Sequence, residues 1–195
     1  EIHRLNKTVE ETLYPAMEDF CLDIVVGKGP AARTLRLELP HFTIIGATTR
    51  IGAIASPLRD RFGAVYKLQF YTESELEEII KRSATILNLS ISDDAAKELS
   101  KRARRTPRIA NRLLKRVRDF TQLANKTTID LAIIKEALKV LEIDDLGLDH
   151  SDLLYLQTLC EKFNGGPVGL DTLATTMADD AVSIEEVAEP YLIQL

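Results

Sequence analysis

The chain has 195 residues, of which 45% are apolar and 28% charged, and its formal net charge is −5. This length allows more than one domain, and this composition is that of a globular chain able to bury a core, which excludes a disordered or low-complexity polymer. No apolar run approaches the roughly 18 residues a bilayer-spanning helix needs, no signal peptide is visible, and Cys21 and Cys160 lack the paired spacing of a zinc site or a disulfide framework, a usage that fits a reducing cytoplasm.

Residues 21 to 47 read as strands. Cys21 to Val26 is followed by a Gly27-Lys28-Gly29-Pro30 turn, by Thr34 to Leu39 with alternating Leu35, Leu37 and Leu39, and by an apolar run from Phe42 to Gly46. The pattern predicts a hairpin and then a buried core strand, covered on both faces as a parallel strand is. Thr48 and Thr49 fall at the carboxyl end of that strand, where open α/β sheets bind ligands.

From Thr72 the period becomes helical. Thr72 with Glu75 forms a capping box, followed by Leu76, Ile79, Ile80, Ala84 and Leu87 at helical spacing. Ser92 caps a second helix through Ala96, Leu99 and Ala103. Thr106 caps a third, with Pro107 at the first helical position and Ile109, Leu113, Val117, Phe120 and Ala124 toward the core. Asp130 opens a fourth through Ile134, Ala137, Leu138 and Leu141. Residues 72–147 thus read as a small helical bundle, with a boundary at Gly147. Beyond it come a helix from about Ser151 to Phe163, a turn at Asn164-Gly165-Gly166-Pro167, a helix capped by Asp171 and another capped by Ser183 with Glu186 as its box partner. Three short helices with one glycine-rich turn suit a winged-helix unit.

The net charge hides a segregation. From Glu142 to Leu195 there are 12 acidic side chains and one base, Lys162, so this stretch carries −11 and the remainder +6. Ten of the 25 basic side chains fall between Lys97 and Arg118, opposed there by Glu98 alone. A solvated helical face and a phosphate-facing surface are both open readings of that run.

Three polar runs carry the chemistry: Gly46-Ala47-Thr48-Thr49-Arg50, Ser56-Pro57-Leu58-Arg59-Asp60-Arg61-Phe62 and Arg104-Arg105-Thr106-Pro107-Arg108. Phosphoryl transfer asks a protein mainly to position groups and neutralise charge, so hydroxyls after a strand and always-charged arginines are its tools. Together the runs resemble sensor 1, the arginine finger and sensor 2 of an AAA+ ATPase. Glu1-Ile2-His3-Arg4-Leu5, Tyr14-Pro15-Ala16-Met17-Glu18-Asp19, Arg108-Ile109-Ala110-Asn111-Arg112-Leu113-Leu114 and Gly165-Gly166-Pro167-Val168-Gly169-Leu170 narrow the resemblance to the RuvB family of bacterial Holliday-junction branch-migration motors.

That resemblance implies the second half of an α/β AAA+ core over 1–71, an all-α lid over 72–147 and a partial winged-helix domain over 148–195. It implies Glu1 as the Walker B glutamate that orients water, Thr48 or Thr49 as sensor 1, Arg61 as the arginine finger offered to a neighbouring subunit, and Arg108 as sensor 2. It places Tyr71 at the adenine pocket and Glu18, Asp19 and Phe20 near bound nucleotide. The hairpin over 21–39 would engage RuvA. Competing structural readings are a turn or helix cap for the two threonines, a surface ion cluster for Arg59-Asp60-Arg61 with Arg59 as a substitute finger, and ordinary packing for Tyr71.

A phosphate-cradling Gly-x-x-x-x-Gly-Lys-Ser/Thr string is not found, since Gly27-Lys28-Gly29 lacks both its upstream glycine and its hydroxyl. The expectation is therefore a truncated segment of an ATP-dependent helicase, inactive alone because the P-loop is absent, using ATP and Mg²⁺ whose ligands lie mostly elsewhere. His3, His41 and His150 have no ligand-spaced companions and are assigned no metal. The full-length protein would form a hexameric ring on DNA, with the main DNA contacts beyond Leu195. The alternatives are a non-catalytic DNA-binding scaffold with an AAA+-like assembly half, and a clamp-loader subunit.

Overall fold

The structure, a computed structural model, describes residues 1–27, 29 and 32–195. The chain divides into two compact units, Glu1–Leu68 and Gln69–Leu195.

The first unit opens on a 3₁₀ turn, Ile2–Arg4, and α1, Lys7–Asp19, whose first turn is capped by Asn6 accepting from the Thr8 amide. Phe20 ends α1 in the left-handed region at φ 52° and turns the chain into β1, Cys21–Val26. Antiparallel β2, Arg33–Glu38, pairs Cys21 with Glu38 and Val26 with Arg33, so the predicted hairpin is present with its second strand one residue earlier. Of the predicted tip, Lys28, Pro30 and Ala31 lie outside the described residues. Ile24, Val25, Val26, Leu35 and Leu37 are all exposed, so the alternation marks no buried face in this unit.

The predicted core strand over Phe42–Gly46 is a correction. The segment has no regular secondary structure and joins no ladder among the described residues, and Phe42 and Ile45 are exposed, Ile45 at 90%. A parallel strand exists only through its neighbours. Composition reports that a segment is fit to be covered, and the cover is a separate matter. After a 3₁₀ turn at Ile51–Ala53 comes α2, Ser56–Arg61, anchored by fully buried Leu58. Gly46 is required by close approach: a Cβ there would lie 2.9 Å from the Ile2 side chain and 3.1 Å from the Phe62 ring.

In the second unit, α3 (Glu73–Ile86), α4 (Asp93–Lys101), α5 (Pro107–Leu123) and α6 (Leu131–Val140) surround one core containing Leu76, Ile80, Ala96, Leu99, Leu114 and Ile134. The Thr72–Glu75 capping box and the Ser92 and Asp130 caps form as predicted. Thr106 sits at the predicted cap position, but its hydroxyl donates to the Arg104 carbonyl instead of closing the helix end. Ala124 is exposed, and Ala110, Leu114 and Thr121 share the buried face of α5 with Leu113 and Val117. A two-residue parallel bridge, β3 (Ser90–Ile91) with β4 (Thr128–Ile129), is too short to show a period in sequence.

Three carboxylates near helix starts in this unit are held below their ordinary range. The Thr72 amide lowers Glu75, the Lys81 ammonium lowers Asp93, and Lys126 followed by the Ile133 amide lowers Asp130. A depressed folded pKa stabilises above the unfolded value and loses that contribution as pH falls through the folded one. Asp152, raised chiefly by burial, opposes them. Circular dichroism melts are therefore expected to show the midpoint of the second unit falling as pH drops below about 4. A level midpoint down to about pH 3 would contradict that balance.

The C-terminal part carries α7, His150–Phe163, started by an Asp149–Asp152 capping box. α8, Leu170–Met177, has Gly169 at its cap and no side-chain cap bond, which corrects the Asp171 expectation. α9, Ala181–Ser183, is capped by Asp180 accepting from the Ser183 amide, then continues as a π turn, Ile184–Ala188, into α10, Glu189–Leu192. Ser183 is thus inside the helical run, because the Asp180 carboxylate three residues earlier accepts from the Ser183 amide and caps the helix there. The described residues from 145 onward show helices and no strand.

A polar joint ties this part to α4 and the loop before α5. Arg102 pairs with Asp145 at 2.6 Å and Glu98 at 2.8 Å. Arg104 pairs with Asp152, lies 3.1 Å from Asp149, donates through Nε to the Gly147 carbonyl at 2.8 Å, and stands 5.3 Å over the Tyr191 ring. The Tyr191 hydroxyl donates to the Leu146 carbonyl. Gly147 has φ +78°, and a Cβ on it would come within 2.9 Å of the Arg102 carbonyl. Gly147→Ala is expected to destabilise the second unit by about 2 kcal/mol or more, through left-handed strain and a backbone clash. Urea unfolding reads the change, and an unaltered midpoint is the contrary result.

Candidate functional site

The first cluster of interest is assembled by backbone. The Ile2 amide donates to the Ala47 carbonyl at 2.9 Å, laying the 3₁₀ turn alongside Gly46-Ala47-Thr48. His3 Nδ1 then sits 2.7 Å from Thr48 Oγ1 and 3.1 Å from Glu1 Oε2, while Thr49 Oγ1 donates to the same carboxylate oxygen at 3.4 Å. Burial pushes the Glu1 carboxyl up, but the Thr49 amide and His3 hold it below the ordinary range. Glu1 is therefore brought to Thr48 and Thr49, 47 and 48 positions away in sequence. Two hydroxyls, a carboxylate and an imidazole so placed can hold an anionic oxygen and a water side by side.

Arg61, at the end of α2, faces α1. Its Nε lies 2.9 Å from Glu18 Oε1, its Nη1 donates to the Pro57 carbonyl at 2.7 Å, and its guanidinium stands 4.4 Å over the Tyr14 ring. Asp19 pairs with Arg36 at 3.4 Å, and the Phe20 ring packs on His41 and Phe42. Each of Glu18, Asp19 and Phe20 thus has a structural partner in this unit. Asp60 accepts from the Ser56 hydroxyl, and no ion pair among the described residues joins it to Arg59 or Arg61, so the surface ion-cluster reading does not describe this segment.

In the second unit Arg108 is exposed in the first turn of α5 and has no ion pair among the described residues. A cation there gains nothing from the helix dipole. Tyr71 is half-exposed; its amide donates to the Arg105 carbonyl at 3.2 Å. Its ring borders a cleft of about 560 Å³ lined also by Phe70, Glu77, Lys97, Ser100 and Arg105, a volume within the range of small-molecule sites. Among the described residues no group of three or more His, Cys, Asp or Glu side chains could hold a metal ion, and no helix is long and apolar enough to cross a membrane.

Sequence reasoning passed over His3, Tyr14 and the Arg102–Arg104 joint. His3 reads as a lone histidine, although only Ile2 separates it from Glu1 within one tight turn. Arg102 and Arg104 sat inside a basic run that fits a solvated face, while the structure buries both, at 7% and 9% exposure. Glu98 is a local partner of Arg102, but Asp145, Asp149 and Asp152 lie more than 40 positions away from the arginines they pair with, beyond any local pattern.

Comparison with known proteins assigns this arrangement. Residues 1–68 match the family model described as "Holliday junction DNA helicase RuvB P-loop domain", residues 71–144 the "RuvB AAA lid domain" and residues 145–195 the "RuvB C-terminal winged helix domain". The chain belongs to the RuvB family. A relative from Chloroflexus aggregans, "Holliday junction branch migration complex subunit RuvB", is 59% identical over 195 residues, which is all of this chain and 56% of that protein. The solved Thermotoga maritima RuvB Holliday junction branch migration motor is 47% identical, with a TM-score of 0.81 over all of this chain and 60% of its own. A point mutant of that protein gives 48% and 0.83. The chain thus spans little more than half the length of these RuvB proteins. The first match also corrects the expectation that the P-loop is missing: residues 1–68 belong to the RuvB P-loop domain itself, although the glycine-lysine string does not occur within residues 1–195.

Proposed function

We propose that the full-length protein is an ATP-driven motor that migrates Holliday junctions in recombination and repair, working in the cytoplasm as a hexameric ring on duplex DNA. The observation that carries this reading is the convergence of Glu1, Thr48 and Thr49 in a chain whose parts follow the RuvB order. The donor set fits the polar end of a triphosphate, since hydroxyls offer the donors an anionic oxygen needs and a carboxylate accepts from water. Bound ATP with Mg²⁺ supplies the phosphoanhydride bond whose cleavage powers movement.

In this reading Glu1 orients the water, Thr48 or Thr49 holds a phosphate oxygen, Arg61 serves a neighbouring copy, and Arg108 is the lid's cation for the nucleotide. Tyr71 borders the base, and Glu18, Asp19 and Phe20 shape the region around it. The β1–β2 hairpin, with five exposed apolar side chains, is the surface for RuvA. Residues 142–195 carry −11, so the grip on DNA phosphates falls to other parts of the full-length protein.

The test is conversion of a synthetic four-way junction to duplex products by the full-length protein with RuvA and ATP. Junction-dependent ATP turnover with product release supports the motor. Junction binding without turnover supports the scaffold reading instead.

A further inference from the structure

We infer that Arg104 is a positioning residue for nucleotide recognition: it ties the loop before α5 to the start of α7 and so sets where Arg108 and Tyr71 stand, which lets the C-terminal part govern how the lid holds a triphosphate. This rests on the motor reading, in which Arg108 is the lid's cation for the nucleotide and Tyr71 borders the base.

The stretch from Arg104 to Arg108 meets three different parts of the second unit. Arg105 offers its carbonyl to the Tyr71 amide at 3.2 Å, and Arg108 stands in the first turn of α5, exposed and without an ion pair among the described residues. The Arg104 side chain is engaged with the C-terminal part: it pairs with Asp152, lies 3.1 Å from Asp149, donates to the Gly147 carbonyl at 2.8 Å and stands over the Tyr191 ring. Buried and held in this way, it acts on a nucleotide only through its neighbours in the chain.

Two features let the loop carry that anchor forward. The Thr106 hydroxyl donates back to the Arg104 carbonyl at 2.9 Å, where a threonine at a helix start ordinarily accepts from one of the first amides, so α5 begins with no side-chain cap and takes its entry from the loop. Arg104 and Arg105 are both left-handed, at φ 48° and 52°, a backbone state that a non-glycine residue keeps only where its surroundings impose it. The Arg105 side chain is exposed, so the imposing contacts are those of the Arg104 side chain and the Tyr71 amide. A guanidinium suits the task, because its fixed fork serves a carbonyl through Nε and carboxylates through Nη2 at once. Asp149 and Asp152 form the capping box of α7, so a displacement of that helix start is carried to Arg105 and Arg108.

The experiment uses the full-length protein with Arg104→Lys, with the double variant Arg104→Met, Asp152→Leu, and with Arg108→Ala, each joint variant also being combined with Arg108→Ala. Lysine keeps the charge without the fork, and the apolar pair keeps the burial but offers no donor to the Gly147 carbonyl. Guanidinium-chloride unfolding reads stability, and the ratio of affinities for a non-hydrolysable ATP analogue and for ADP reads the lid's hold on the terminal phosphate. Both joint variants are expected to lower that ratio about tenfold, the lower end of what a hydrogen bond to a charged group contributes, and the double variant should do so while keeping most of its stability. In the Arg108→Ala background they should change it by less than about twofold, because the cation they position is gone.

A wild-type ratio in both joint variants would overturn the inference, as would equal losses with and without Arg108, which would mark a general loosening of the unit. Arg104→Lys decides the case if the apolar pair does not fold. Arg108→Ala with the wild-type ratio sinks the reading of Arg108 as the nucleotide's cation. A ratio lowered in Arg108→Ala but kept in the joint variants removes Arg104 alone.

Discussion

Replacing Arg61 by Ala in the full-length protein is expected to lower ATP turnover by roughly 10³- to 10⁵-fold, the range an arginine finger is worth, with nucleotide affinity nearly unchanged. In the present chain the Arg61 guanidinium rests on Glu18, the Pro57 carbonyl and the Tyr14 ring. These contacts do not compete strongly with such a role. The Glu18 side chain is 55% exposed, and a solvent-facing pair of this kind contributes about 0–1 kcal/mol. The resting contacts instead keep a long, flexible side chain in one place. Arg61→Lys should fail to restore turnover, because an ammonium lacks the planar two-pronged fork. Arg59→Ala should keep it. Steady-state ATPase assays with a filter-binding measure of affinity separate these outcomes, and wild-type turnover in Arg61→Ala would remove the assignment.

What sequence could reach follows from the range of each signal. The Thr72–Glu75 box, the Ser92 and Asp130 caps and the stripe Leu76–Ile80–Ala84 are local, written within a few residues, and all are where the periodicity puts them. The hairpin register is likewise local. Phe42–Gly46 fails for the opposite reason, since a parallel strand depends on partners that its own residues do not encode. The site divides along the same line. Thr48, Thr49 and Glu1 were legible as motif members, but the imidazole linking them was not, because it depends on a 3₁₀ turn laid against a segment 45 residues away. Arg104 was misread because a basic run looks the same whether its members face water or a distant carboxylate.

That distant carboxylate sets the last expectation: Asp152→Ala should destabilise the second unit by about 3–5 kcal/mol, the cost of leaving a buried charge without its partner. Arg104 is 9% exposed and Asp152 2%. Burial pushes the Asp152 carboxyl up, against the pull of the Asp149 amide and Arg104. Loss of the carboxylate leaves the guanidinium with the Gly147 carbonyl and a half-exposed Asp149, and also opens the capping box of α7. Arg104 and Arg105 both sit in the left-handed region, at φ 48° and 52°, a conformation that costs on the order of 1 kcal/mol per non-glycine residue and persists only where surroundings enforce it. The joint enforces it, so its removal should also free this loop and separate the unfolding of the α3–α6 core from that of α7–α10. The double variant Arg104→Met, Asp152→Leu should recover much of the loss in guanidinium-chloride unfolding, because an apolar pair of similar size carries no desolvation cost. If Asp152→Ala unfolds at the wild-type midpoint in a single transition, the pair does not hold the two parts together.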